Sequence, residues 1–155
     1  MGEQPEKVKK LKHEESHLKF LFVCYANICR SPMAEGIART FAKDGIRAES
    51  AGIAAIKNGG AAPHAVEVMK SRYDVDISGH KARNVTEVDL ERFDYIVALD
   101  SMVYRYLKAL NKIPEEKLFE WDIHDPVGQP VFVFRRVAEK IRKRIEQFLI
   151  NREIH

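Results

Sequence analysis

The first sustained apolar run in the chain is Leu18 to Cys24, LKFLFVC, with charged residues before it and a short polar turn after it. A compact run of this kind predicts a strand buried in a parallel sheet. Beyond the turn, Ser31 is placed to cap a helix and Pro32 to fill its first turn. Met33, Ile37 and Phe41 then recur at helical spacing, and the pattern stops at Gly45. IRAESAG predicts a second strand ending in a glycine turn, residues 52–63 a loop, and HAVEVMKSRY a second helix. TEVDLERF opens on Thr86 and Asp89, spaced as in a capping box. DYIVALD is the clearest later strand and SMVYRYLKAL a helix after it. KLFEWDIHDPVGQP predicts a strand and then a long loop, and Val131 to Ile150 a final amphipathic helix whose arginines and lysines form a solvated face.

Strands and helices alternate with no internal repeat and no low-complexity linker. That order predicts an α/β fold: a three-layer sandwich around a central, mostly parallel four-stranded sheet. Ligands of such sheets sit beyond the carboxyl ends of the strands. Cys24 and Asp100 both fall at such ends.

Composition narrows the classes. A chain of 155 residues, 45% hydrophobic and 32% charged, is an ordinary globular balance for one domain. The net charge of +3 is scattered and implies no nucleic-acid partner. No apolar run approaches the ~20 residues that span a bilayer, so no membrane partner is expected. The opening MGEQPEKVKKLKHEES has no apolar core of a secretory signal, and Glu6 stands where a myristoylation motif wants Ser or Thr. The expected organisation is a mobile charged leader over 1–17, a domain over 18–150 and a tail over 151–155, in a cytoplasmic protein. Cys24 and Cys29 are the two cysteines, too few and too close for a disulfide framework.

The turn between Cys24 and Arg30 is where the chemistry concentrates. A strand-to-helix turn leaves backbone N–H groups unpaired, and the helix dipole adds positive potential. Together they favour an anion, and they would stabilise a thiolate at the rim. Arg30 returns at the far end with a planar fork that matches two oxygens of a phosphate. The loop would hold a tetrahedral oxyanion above a nucleophile, which is a phosphate-transfer site. A Walker-type loop is excluded by the absence of Gly-Lys-Ser/Thr, and a thioredoxin-like site by the absence of Cys-x-x-Cys.

VCYANICRSPMAEG resembles the signature of the low-molecular-weight protein tyrosine phosphatases: Cys, five residues, Arg, Ser. ESAGI, DISGHKARNVTEVD, FDYIVALD and DIHDP follow in the family's order, so the likeness covers roughly Lys19 to Phe148. The resemblance implies a phosphatase without metal or cofactor, a phosphocysteine intermediate, a phosphorylated protein or peptide as substrate and inorganic phosphate as product. It makes Cys24 the nucleophile, Arg30 the phosphate clamp and Asp125 the general acid, with Asp122 as runner-up. Tyr25, Ala26, Asn27, Ile28, Cys29, Arg30 and Ser31 would surround the phosphate. Ser31 would also donate to the Cys24 sulfur. Ser50 and His80, with Asn27 and Ser31, would support the loop; His64 receives no role. Cys29 matches the family's second loop cysteine, and oxidation could join it reversibly to Cys24.

Departures from the family are also visible. Ala26 stands where glycine is usual, so a slight shift in loop geometry is expected. Val127 and Gly128 stand where aromatic residues wall the cleft, and Ile53 and Ile56 replace a ring there. A more open pocket is therefore expected, less able to stack a phenyl ring. Two relatives by scaffold compete with tyrosine phosphatase activity. A protein-arginine phosphatase typically has Thr before the second loop cysteine, where this chain has Ile28. A thiol-coupled arsenate reductase typically relays electrons through further cysteines.

Overall fold

The computed structural model describes residues 17–154, so nearly all of the expected leader lies outside the described residues. Four strands, β1 (Leu18–Cys24), β2 (Ile46–Gly52), β3 (Tyr95–Ala98) and β4 (Leu118–Glu120), make one sheet in the order β2-β1-β3-β4. Every neighbouring pair is parallel. Among the described residues four α-helices accompany them: α1 (Arg30–Arg39), α2 (Pro63–Tyr73), α3 (Ser101–Ala109) and α4 (Val131–Ile154).

The burial of β1 explains its unbroken apolar run. Phe20, Phe22 and Cys24 face a core shared with Met33 and Ile37 of α1, Val68 and Met69 of α2, and Val137, Ile141 and Ile145 of α4. Leu21 and Val23 point the other way, against Val103 and Leu107 of α3 and against Val85 and Phe93. A strand covered on both faces has no use for polar alternation. The result is the expected three-layer α/β sandwich. No helix among the described residues is long and apolar enough to cross a membrane.

Several boundaries differ from the pattern in the sequence, each for a local reason. The first helix ends at Arg39, before Phe41 completes its stripe, because the Thr40 hydroxyl donates to the Ile37 carbonyl at 2.6 Å. A 3₁₀ turn, Ala42–Asp44, follows and closes on Gly45 at φ 81°. Thr86 and Asp89 do not form a capping box. Asn84 and Glu87 do: Thr86 N–H donates to the Asn84 side chain and Asn84 N–H to the Glu87 carboxylate, each at 3.1 Å. Asp89 caps a separate turn, Leu90–Arg92, so the chain spends this segment in two short 3₁₀ turns. Pro63, read as loop, opens α2 at its first turn, and α4 runs on to Ile154 instead of stopping at Ile150.

Candidate active site

β1 ends at Cys24, and residues 25–29 turn back to start α1 at Arg30, with Cys29 at the N-cap. Ser31 is not the cap. Its hydroxyl lies 2.9 Å from the Cys24 sulfur instead. The Asn27 side-chain amide donates to Ser31 Oγ at 2.7 Å, occupying an acceptor position on that oxygen. The single Ser31 proton is then left for the sulfur, its other acceptor being the more distant Ala51 carbonyl at 3.4 Å. Asn27 N–H also points at the sulfur, at 3.3 Å. Two donors therefore face Cys24 Sγ, which suits a thiolate.

Asn27 fixes the loop. It is fully buried and takes left-handed backbone at φ 59°, a conformation Asn tolerates better than most residues. Its amide donates to Ser50 Oγ at 3.0 Å, its side-chain oxygen accepts from Arg83 N–H at 3.0 Å, and its carbonyl accepts from His80 Nε2 at 2.7 Å. Ser50 in turn donates to Glu35 at 2.6 Å. Further donors hold the carbonyls of Cys24, Tyr25 and Ile28: the N–H groups of Ile53, Ala54 and Ala62, at 3.1, 2.8 and 2.8 Å. These loop oxygens are thus tied to the surrounding chain, away from any anion the loop would hold. Ala26 sits here without positive φ, so alanine replaces the family's usual glycine with no backbone strain.

Gly52 completes the support. A Cβ added there would lie 2.7 Å from the Tyr25 carbonyl oxygen and 2.9 Å from the Asn27 nitrogen, both rigid backbone. Gly52→Ala is therefore expected to displace the loop. Turnover of an aryl phosphate should fall by roughly tenfold or more, the loss that a small misplacement produces, while a melt still reports a folded protein. Unchanged turnover would mean the loop tolerates the shift.

Arg30 is buried, and one guanidinium nitrogen is committed. It donates to Asp100 Oδ2 at 2.7 Å and to the Ile123 carbonyl at 3.1 Å. The other terminal nitrogen stands 3.8 Å from Asp125 Oδ2. Asp100 also accepts from Val103 N–H at 2.8 Å, capping α3. Burial alone would raise the Asp100 carboxyl, but the Val103 amide and the Arg30 guanidinium outweigh it and hold the group below the usual carboxylate range. Asp100, which the sequence shows only as an aspartate at a strand end, positions the Arg30 guanidinium and caps α3. The signal was available: an aspartate two residues after a buried strand and immediately ahead of a helix, three residues before Val103.

The site opens into a cavity of about 200 Å³ lined by Cys24, Ile28, Arg30, Asp125, Tyr25 and Val127, among others. Asp125 is half exposed at the mouth, and its Oδ1 accepts Val127 N–H at 3.1 Å. Asp122 is exposed and does not line this cavity. Nor do Ile53 and Ile56; the latter is largely exposed on its loop. His64 is exposed and packs edge-on against Phe134. Among the described residues, no three His, Cys, Asp or Glu side chains cluster closely enough to hold a metal ion.

Cys29 is buried and free, beside a buried, free Cys24. Burial, and then the nearby Asp125 and Cys24, push its thiol up to about 12, with Arg30 pulling weakly the other way. An unfolded chain would lose this proton near the ordinary value of 9.0. Between these limits the folded state holds the extra proton, so the contribution of Cys29 to stability is complete below pH ~9 and declines as pH rises towards ~12. Denaturant titrations should show native stability falling more steeply over that window than that of Cys29→Ala. Parallel curves would contradict it.

A parallel α/β domain whose first strand turns into a helix beside a buried arginine and an overhanging carboxylate is built to suit oxyanion chemistry. Comparison with known proteins gives the family. The profile described as low molecular weight phosphotyrosine protein phosphatase matches residues 19–155. A solved low molecular weight protein tyrosine phosphatase from T. tengcongensis is 34% identical, with a TM-score of 0.81 over 86% of this chain and 99% of that one. Arsenate reductase of Staphylococcus aureus is 35% identical over 127 residues, 82% of this chain and 92% of its own length. The YwlE arginine phosphatase structure from Geobacillus stearothermophilus is 25% identical, with a TM-score of 0.74 over 88% and 94% of the two chains. The chain belongs to the low molecular weight phosphotyrosine protein phosphatase family, a family of phosphatase enzymes.

Proposed function

We propose that this protein hydrolyses phosphotyrosine in proteins, without a metal, through a phosphocysteine intermediate. The observation that carries the reading is the convergence on one small cavity of Cys24, with the Ser31 hydroxyl and Asn27 N–H facing its sulfur, the buried Arg30 and the Asp125 carboxyl. The phosphoryl group sits over the sulfur, its equatorial oxygens held by loop amides and by the Arg30 nitrogens that Asp100 leaves unused. Cys24 Sγ attacks phosphorus; the S–P bond forms and the bond to the phenolic oxygen breaks. Asp125 passes its proton to that oxygen, and tyrosine leaves. The Asp125 carboxylate then takes a proton from water, whose oxygen attacks phosphorus. The S–P bond breaks, phosphate is released, and the Ser31 hydroxyl supports the departing thiolate.

The cavity walls support an aryl ester over a phosphoguanidine. Tyr25, Ile28 and Val127 offer apolar surface, which suits a ring better than the polar guanidinium of arginine. A thiol-coupled arsenate reductase typically relays electrons through further cysteines; this chain has only Cys24 and Cys29, so that activity would require an external thiol. Turnover of matched phosphotyrosine and phosphoarginine peptides, with chelator present, tests the reading, alongside thiol-coupled arsenate reduction. Faster release of phosphate from phosphotyrosine is expected. Faster phosphoarginine hydrolysis, or arsenate reduction without ester hydrolysis, would overturn it.

A further inference from the structure

We propose that the basic face of α4 next to the Asp125 loop docks an acidic segment of the substrate protein a few residues away from its phosphotyrosine. The inference rests on the function proposed above and adds the class of phosphoprotein the site selects. Two concavities of about 300 and 340 Å³ run along this face, and Arg136 and Lys140 line both. The first begins at His124, the neighbour of Asp125, so the surface is continuous with the catalytic loop. The second adds Arg72 from α2 and Arg135 and Lys143 from α4.

Charge decides what such a surface accepts. Those five cations are exposed, and none forms an ion pair among the described residues. Among the described residues lining these two concavities the one carboxylate is Glu139, and Arg142 already holds it, together with the Tyr73 hydroxyl. What sets this face apart is density: five such cations line two adjoining concavities, whereas Arg83 and Arg92 share Glu49 and Lys57 meets Glu87. An unneutralised stripe beside an active site steers and retains an anionic partner. Its reach also fits a peptide. From Val131 to Lys143 the helix rises about 18 Å, a distance an extended chain covers in about five residues. Glutamate or aspartate about three to six residues from the phosphotyrosine would therefore lie along the stripe while the phosphate occupies the Cys24 loop.

The test compares three phosphotyrosine peptides of equal length, carrying four glutamates before the phosphotyrosine, four after it, or glutamines throughout. At low salt one acidic peptide should show kcat/KM about tenfold above the glutamine peptide, and the advantage should shrink as salt is added. In the triple variant Arg136→Glu, Lys140→Glu, Lys143→Glu the advantage should vanish or invert, while turnover of a small aryl phosphate stays at the native level. Equal kcat/KM for all three peptides in the native protein overturns the docking proposal, as does a preference that survives in the variant. So does charge-dependent binding to anionic phospholipid vesicles without any peptide preference. If neither the peptides nor the aryl phosphate are hydrolysed, the proposed function itself fails; hydrolysis without charge preference removes the docking face alone.

Discussion

Cys24→Ser is expected to abolish turnover, lowering kcat for an aryl phosphate by a factor on the order of 10⁴ to 10⁶, the scale on which a lost nucleophile registers. The change is small in volume and leaves Arg30, Asp100 and the Asn27 network in place. Phosphate binding should therefore survive, because the anion is held by the loop and the guanidinium and not by the sulfur. Isothermal titration with inorganic phosphate separates the two effects. A variant that neither binds phosphate nor turns over would mean the substitution has disturbed the loop. Substantial residual turnover would mean that Cys24 is not the nucleophile.

The second large effect is expected at Asp125. Asp125→Asn keeps the size of the side chain, and its remaining carbonyl oxygen can still accept Val127 N–H. It removes the proton that the leaving group takes. The loss in kcat should be about 10²- to 10⁴-fold for phosphotyrosine, the usual contribution of general acid catalysis. It should shrink for aryl esters whose phenolate leaves unaided, since these need no proton in the first step. Measuring kcat across phenols of graded acidity gives the check. A uniform loss across the series would argue that Asp125 acts only by positioning Arg30, from which it lies 3.8 Å away.

Much of this site could be read along the chain because its centre is local. Cys24, Arg30 and Ser31 lie within one strand–turn–helix junction, so their types and spacing carry the geometry. The strand itself was legible because burial on both faces leaves an unbroken apolar run. What spacing could not show is the bracing, which is non-local. Asn27 is tied to Ser50 in β2 and to His80 and Arg83 in the loop after α2, and of these only Ser50 and His80 followed from the family resemblance. The Arg30–Asp100 pair spans 70 residues. Gly52 reads as a turn glycine, yet its task is to let the loop backbone approach. By position alone Ser31 reads as a helix cap, while the family resemblance implies its bond to the sulfur; the hydroxyl lies 2.9 Å from Cys24 Sγ and the helix begins without a side-chain cap. The two 3₁₀ turns near residues 85–92 were illegible for a different reason: elements that short have no period to detect.

The supporting network also bears on why Arg30 can be buried at all. A guanidinium removed from water needs a counter-charge and hydrogen-bond acceptors. Asp100 and the Ile123 carbonyl supply them on one side. In the proposed mechanism the remaining nitrogens would meet phosphate oxygens without the arginine having to leave this resting position.

The central claim is that phosphate passes through the Cys24 sulfur. Mass spectrometry of Asp125→Asn, quenched in acid during turnover of a reactive aryl phosphate, tests it most directly, because this variant should form the intermediate and break it down slowly. Phosphate attached to Cys24 in the peptide spanning the loop is the predicted result. Steady turnover with no phosphorylated residue, or with phosphate on any other side chain, would contradict the account.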